Sequence, residues 1–364
     1  MENRDRGRQG GSYPSGGSLR PDAYSASRLP PKFTDESVNM QTTIKHYRRQ
    51  FFLSIAVLTF SVVGSTSLSA QHTLPASTDD LVTSIKITPN HVFQQAQRIV
   101  GEVQIIREAM NANEPARIPG VQTDKRPIHV YAKSLEVLEK IARTQSVLGL
   151  PPATVGSIPL RKVTPQEVYE STLQIIDQLE QVKSRLNITQ QAPTPSLQAG
   201  LTPSDVYEKI WLASNLMDAV AGQVSPNLVY RNTLYVLAEI DQIATRMNIL
   251  LKQQAPAPLP GIGPKRVNLE GFMNLHRLAN LERKLGVTPL RVANFPSGNI
   301  TPADVFDTTN TMLAELARIK HFLGIERSYE PIAPPTGKKP PDVHANMRLI
   351  ATSLQQLIEQ GTRS

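Results

Sequence analysis

The sequence predicts an all-α protein of eight helices, arranged as two tandem, internally duplicated four-helix units. Three observations lead there. A proline followed three residues later by valine recurs in steps of 38 residues at Pro89, Pro127, Pro165 and Pro203, and again at Pro226, Pro264, Pro302 and Pro340. The second group repeats the first at an offset of 137 residues, so that "SPNLVYRNTLYVLAEIDQIATRMNI" echoes "TPNHVFQQAQRIVGEVQIIREAMNA". Aromatic residues make up only 5% of the chain against 40% hydrophobic residues, a balance that suits aliphatic helix packing better than sheets.

Each unit opens with helix-start chemistry. Thr164, Thr202 and Thr301 stand at the N-cap, where a hydroxyl can accept from the third amide of the helix. Glu167, Asp205 and Asp304 stand three residues on, where a carboxylate can return a bond and meet the positive end of the helix dipole. Proline at the first helical position loses nothing, because that amide has no partner inside the helix. From each valine, apolar residues follow at spacings of four and three. In the third unit they are Val168, Thr172, Ile175, Leu179, Val182 and Leu186; in the fifth, Val229, Thr233, Val236, Ile240, Ile243 and Met247. The sixth unit breaks this stripe with Gly271 and Asn274, positions that would border a cavity if a bundle held a small ligand. Gly149, Gly286 and Gly324 each follow a leucine and suit the left-handed helix end. Helices of about 22 residues, about 33 Å long, are expected.

The proline-rich connections, such as "TQQAPTPSLQAG" and "KQQAPAPLPGIGPK", are expected to run about 13–15 residues, longer than ordinary bundle turns. Two layouts satisfy them. Helices can run up and down with the loops at the ends, which is the expected layout, or all run parallel with extended return segments between them. The short link "AGQVSP" requires the fourth and fifth helices to be antiparallel neighbours or nearly continuous.

The N-terminus is organised differently. Residues 1–39 form a basic extension rich in Gly, Ser and Pro that lacks the apolar content for a core. Residues 40–70 have the order of a secretory signal peptide: Lys45, Arg48 and Arg49, then an apolar run from Phe51 to Val63, then small residues through Ala70. An uncleaved anchor is the alternative, which would hold the protein at the inner membrane facing the periplasm. A translation start at Met40 would account for the unusual length ahead of the run. Residues 71–84 read as a linker, with the helical units at 85–222 and 225–361. A bacterial periplasmic or secreted location is therefore expected.

The chain contains no cysteine, so disulfides, thiolate metal sites, a cysteine nucleophile and lipoprotein acylation are excluded. The formal charge of +8 counts 39 basic and 31 acidic residues. Nine and five of these lie in residues 1–70, so the body carries only about +4, scattered rather than clustered, and no nucleic acid is expected as partner. Phosphate-loop, dinucleotide, nucleophile-elbow and His-Glu-x-x-His motifs are missing from the sequence. "GIGPK" at 261–265 reads as loop. His91 and His129 occupy the slot that Glu167 and Asp205 fill elsewhere, and so read as helix-start residues. No enzyme activity, cofactor or metal is expected.

The candidate contact residues are aromatic. Tyr169, Tyr207 and Tyr230 fill the slot after the repeating valine, and Trp211, Arg231 and Tyr235 gather near the junction of the two units, a composition typical of interface anchors. The expected role is a non-enzymatic scaffold or protein-binding module for another envelope protein, with membrane contact only through an uncleaved N-terminus. A small-ligand or sensory bundle is the alternative.

Overall fold

The computed structural model describes residues 86–252 and 254–361. It is all-helical: α1 (Pro89–Ala109), α2 (Pro127–Val147), α3 (Pro165–Arg185), α4 (Pro203–Ala221), α5 (Pro226–Arg246), α6 (Pro264–Leu285), α7 (Pro302–Phe322) and α8 (Pro340–Gln360). All eight lie in one compact unit. Among the described residues no helix is long and apolar enough to cross a membrane. The expected extension, signal segment and linker, residues 1–84, lie outside the described residues.

Every helix begins at the repeating proline. At α3, α4 and α7 the third residue returns its bond as expected: Glu167 accepts from the Thr164 amide at 2.5 Å, Asp205 from Thr202 at 2.7 Å and Asp304 from Thr301 at 2.8 Å. The threonine hydroxyls also donate to these same carboxylates at 2.6–2.9 Å, and that of Thr202 accepts from the third amide at 3.4 Å. His91 and His129 perform the expected cap, their Nδ1 atoms accepting from the Thr88 and Arg126 amides.

Six of the eight helix ends share one device. Gly149, Gly286 and Gly324 take the left-handed conformation, and Asn111, Asn187 and Asn248 take it at the equivalent positions of α1, α3 and α5; α4 and α8 end differently. Asparagine tolerates this region better than other side chains, so it substitutes for glycine. The next amide then bonds back five residues at 2.9 Å, as from Ile188 to the Lys183 carbonyl and from Val287 to Glu282.

Within a bundle α1 packs on α3 and α4, and α2 packs on the same two; α5 to α8 repeat the pattern. All four helices of a bundle run parallel, which corrects the expected up-and-down layout. Pro89, Pro127, Pro165 and Pro203 meet with Val92, Val130, Val168 and Val206 around one small apolar niche, and the eight equivalent residues of α5–α8 do the same. Antiparallel neighbours would put these starts at opposite ends.

The physical reason lies in the connections, which are longer than expected. Residues 110–126, extended at about 3.1 Å each, reach past 40 Å and so exceed the roughly 31 Å of a helix. The return segment 186–202 lies antiparallel along α1: Glu102 accepts from the Ala192 amide, Gln94 donates to the Pro195 carbonyl, and Asn90 accepts from the Leu201 amide. Residues 110–126 lie along α4 in the same way, with Asn215 bonded to Arg117 and Ser204 to Lys125. At Gly101 the segment comes so close that an added Cβ would stand 2.7 Å from the Ala192 Cβ. Gathering four positive helix ends is unfavourable, and carboxylates in the first turn, each worth about 0.3–1 kcal/mol, offset it.

The two bundles lie side by side in opposite directions. As α2 advances from His129 to Glu136, its partners on α7 recede from Glu315 to Asn310. The short link 222–225 then joins two ends at the same level. α4 and α5 are antiparallel but do not pack on one another; α2 and α7 make the close contact.

Candidate functional site

The densest polar chemistry sits on the seam between the bundles. Lys133, Glu136 and Lys140 project from one side of α2, three and four residues apart, and all three are buried. Lys133 bonds Glu136 at 2.7 Å and also pairs with Asp307 of α7. Lys140 pairs with Asp218 at 2.6 Å and donates to the Ser214 hydroxyl at 2.8 Å, while that hydroxyl donates to Glu136 at 2.6 Å. Asn310 of α7 closes the group with a bond to Glu136 at 3.3 Å. Burial alone would raise the Glu136 carboxyl, but Lys133 and Lys140 outweigh it and hold the group at about 2.

A second cluster lies toward the start of α2. His129 Nε2 stands 2.5 Å from Glu315, and Arg318 bridges Glu315 and Glu282, the latter at 2.8 Å. Burial lowers the His129 pKa despite the carboxylate beside it. Burial and the neighbouring Glu315 push Glu282 up to about 9. For Glu315 burial works upward, but bonds from His129 and Glu282 overcome it and hold its pKa low.

The sequence-derived candidates divide. Tyr207 is buried on the seam, its hydroxyl donating to Asp307, its ring edge-on to Trp211 at 5.8 Å and beneath the Lys125 ammonium at 4.3 Å. Burial and Asp307 raise its pKa well above the usual value. Trp211 is half-buried, with the Lys133 ammonium 4.9 Å from its ring. Arg231 crosses the seam to Glu139 at 2.8 Å. Tyr235 stacks on Tyr329 at 4.3 Å, donates to the Ile332 carbonyl and accepts from its amide, which ties down the last return segment. Tyr169 and Tyr230 are not on the seam. Tyr169 packs against the core of its bundle, and Tyr230 lies under the Lys338 ammonium at 4.4 Å. The aromatic slot is therefore mainly packing; of these three tyrosines only Tyr207 lies in the seam.

A cleft of about 650 Å³ opens beside the seam, between residues 117–125 and 290–297 and over Trp211, Phe272 and Asn268. Gly271 and Asn274 contribute no cavity. A Cβ at Gly271 would stand 2.8 Å from the Thr308 side chain, and buried Asn274 donates to the Met347 carbonyl at 2.9 Å. These two break the stripe because two helices approach closely there.

Sequence reasoning missed a buried polar residue near the ends of α1, α2, α3, α6 and α7. Lys183 pairs with Glu102 at 2.6 Å, and the equivalent Lys320 with Glu239 at 2.7 Å, all four side chains buried. Gln145 and Glu282 hold the amides of Ala153 and Leu290 in the following return segments. A polar residue at the same place in five of the eight units was the available signal. Among the described residues no group of three His, Asp or Glu is placed to hold a metal ion. Compared with protein families, characterised proteins and solved structures, the chain matches none.

Proposed function

We propose that the protein is exported to the bacterial periplasm and serves there, without catalysis, as a rigid scaffold that binds a protein partner of the envelope. The observation that carries this reading is a contrast of surfaces. The charged and aromatic groups of the seam are spent on one another, stitching two bundles into a single body, while Leu173, Leu269 and Met273 stand exposed on helices α3 and α6 away from it. The export half rests on the apolar run Phe51–Val63 behind Lys45, Arg48 and Arg49.

Two measurements test it. N-terminal sequencing of the chain from a periplasmic fraction is expected to start after Ala70, or at Met40 for the anchored form; recovery of the protein only from cytoplasm rejects export. A photo-crosslinking side chain placed at Leu173 or Met273 in living cells is expected to capture protein. Capture at neither position, with the fold intact, rejects the scaffold.

The seam cleft favours a second reading, a small-ligand site, because Asn268 lines it with a buried amide nitrogen that has no partner. Native mass spectrometry showing a small molecule that leaves on Asn268→Leu supports that reading over the scaffold.

A further inference from the structure

An aromatic residue follows the repeating valine in six of the eight units, at Phe93, Tyr131, Tyr169, Tyr207, Tyr230 and Phe306; Asn268 and His344 are the exceptions. Both are buried, and both keep a polar atom without a hydrogen-bond partner. Such atoms are rare, because a buried donor or acceptor has lost its water and gained nothing in return. Of the two, Asn268 borders the cleft of about 650 Å³ beside the seam, a volume within the roughly 300–1,000 Å³ of small-molecule sites. Its Oδ1 accepts from the Thr308 hydroxyl at 2.7 Å, which fixes the amide and leaves Nδ2 as a donor with nothing to meet.

The charges around the cleft narrow the chemistry. Each carboxylate that lines it is already matched: Asp304 with Arg117, Asp307 with Lys133 and Asp124 with Arg291. Lys125 is left over. Its ammonium lies over the Tyr207 ring at 4.3 Å, and among the described residues it makes no ion pair. Burial lowers the Lys125 pKa, Asp307 opposes this from a distance, and a negative group alongside would favour the charged form. Asn268 and Lys125 thus both offer hydrogens, and one of them is cationic. A cation entering the cleft would meet carboxylates that already have partners. The rest of the wall is apolar, with Trp211 and Phe272 in it, and Ile118 and Val121 stand 80% and 87% exposed on the return segment that borders it.

We propose that the cleft binds a small aromatic carboxylate that carries a second, neutral oxygen acceptor. The carboxylate goes to Lys125, the second oxygen accepts from Asn268 Nδ2, and the ring lies against Trp211 and Phe272. This names the ligand class for the small-ligand reading of the cleft, on which it rests.

The probe is para-acetylbenzoate, set against benzoate, which lacks the carbonyl, and para-acetylbenzamide, which lacks the charge. Saturation-transfer NMR reads binding to the purified chain, and the emission of Trp211, the only tryptophan, reports occupation of the cleft. The probe is expected to bind most tightly, with each control weaker by about tenfold or more. Lys125→Met should remove the preference over the amide, and Asn268→Leu the preference over benzoate, with circular dichroism showing that both variants fold. If Asn268→Leu unfolds the chain, Lys125→Met, at a half-buried position, carries the test. Controls that bind as well as the probe, a folded variant that leaves its preference unchanged, or no binding at all overturns the proposal. If native mass spectrometry then still finds a small molecule that leaves on Asn268→Leu, the ligand class fails while the small-ligand reading stands; if it finds none, both fail.

Discussion

The ion pair inside each bundle and the polar seam between the bundles are built from the same residue types, yet they relate to the repeat in opposite ways. Glu102–Lys183 and Glu239–Lys320 occupy equivalent positions and do the same work inside their bundles, and Glu102 also accepts the Ala192 amide of a return segment. The seam residues occur once. Lys133, Glu136 and Tyr207 have Glu270, Met273 and His344 at the equivalent places. What is repeated holds a bundle together, and what departs from the repeat decides which faces meet.

The largest expected effect breaks the seam. Glu136→Leu leaves Lys133 and Lys140 buried beside no common carboxylate, so about 3–5 kcal/mol of stability should be lost in urea unfolding. A loss below 1 kcal/mol would mean that the seam contributes little to folding. Next comes the comparison of the repeated pairs. Lys183→Met leaves buried Glu102 with only the longer Arg98 ion pair at 3.7 Å and the Ala192 amide, and is expected to cost about 3 kcal/mol. Lys320→Met should cost less, because burial already pushes the Glu239 carboxyl up and the Lys320 ammonium down, toward their neutral forms. Equal costs would contradict that difference. Replacing Glu102 and Lys183 together by Leu and Met should recover most of the loss.

Gly101→Ala probes the return segment, since its Cβ would stand 2.7 Å from that of Ala192; about 1–3 kcal/mol is expected in thermal unfolding. The second bundle carries alanine at the equivalent position, Ala238, and should tolerate glycine there for about 1 kcal/mol.

The smallest effect depends on pH. Glu282 is pushed up to about 9 from an ordinary carboxylate value of 4.5. Between these values the folded chain holds a proton that the unfolded chain releases, so this group's contribution is complete below 4.5 and falls as pH rises toward 9. Glu282→Gln keeps a neutral side chain and should flatten that fall, raising the melting temperature at pH 8 relative to wild type with little change at pH 4. Glu136 works the other way. Its stability is present above 4.5 and is lost as pH falls toward about 2, so it should contribute to acid unfolding in both proteins, together with Glu315, whose pKa is also held low.

Much of this was written locally. The proline, the capping carboxylate and the apolar spacing each act within a few residues, so all eight helix starts and the stripe Val168–Leu186 were readable. The asparagine helix ends were harder, because asparagine serves many turns and glycine is the plainer signal. Helix direction was misread because loop length had been weighed without the equal depth of the eight valines. Four identical first turns can form one layer only if the helices start together. Trp211, Arg231 and Tyr207 were singled out for their interface composition, and the seam does use them. His129 had been read only as a cap, since its Nε2 partner Glu315 lies 186 residues away.

By itself, then, the sequence determined where each helix begins, which stripe it buries and that the bundle is made twice, because those depend on interactions within one or two turns and on a repeat that can be counted. Only the tertiary structure decided that the helices run parallel, that the return segments are part of the packing, and that Lys133, Glu136 and Glu315 are buried charges rather than a solvated surface. A charge on a helix carries no mark of what it will face; the antiparallel placement of the two bundles supplied the partners and removed the water.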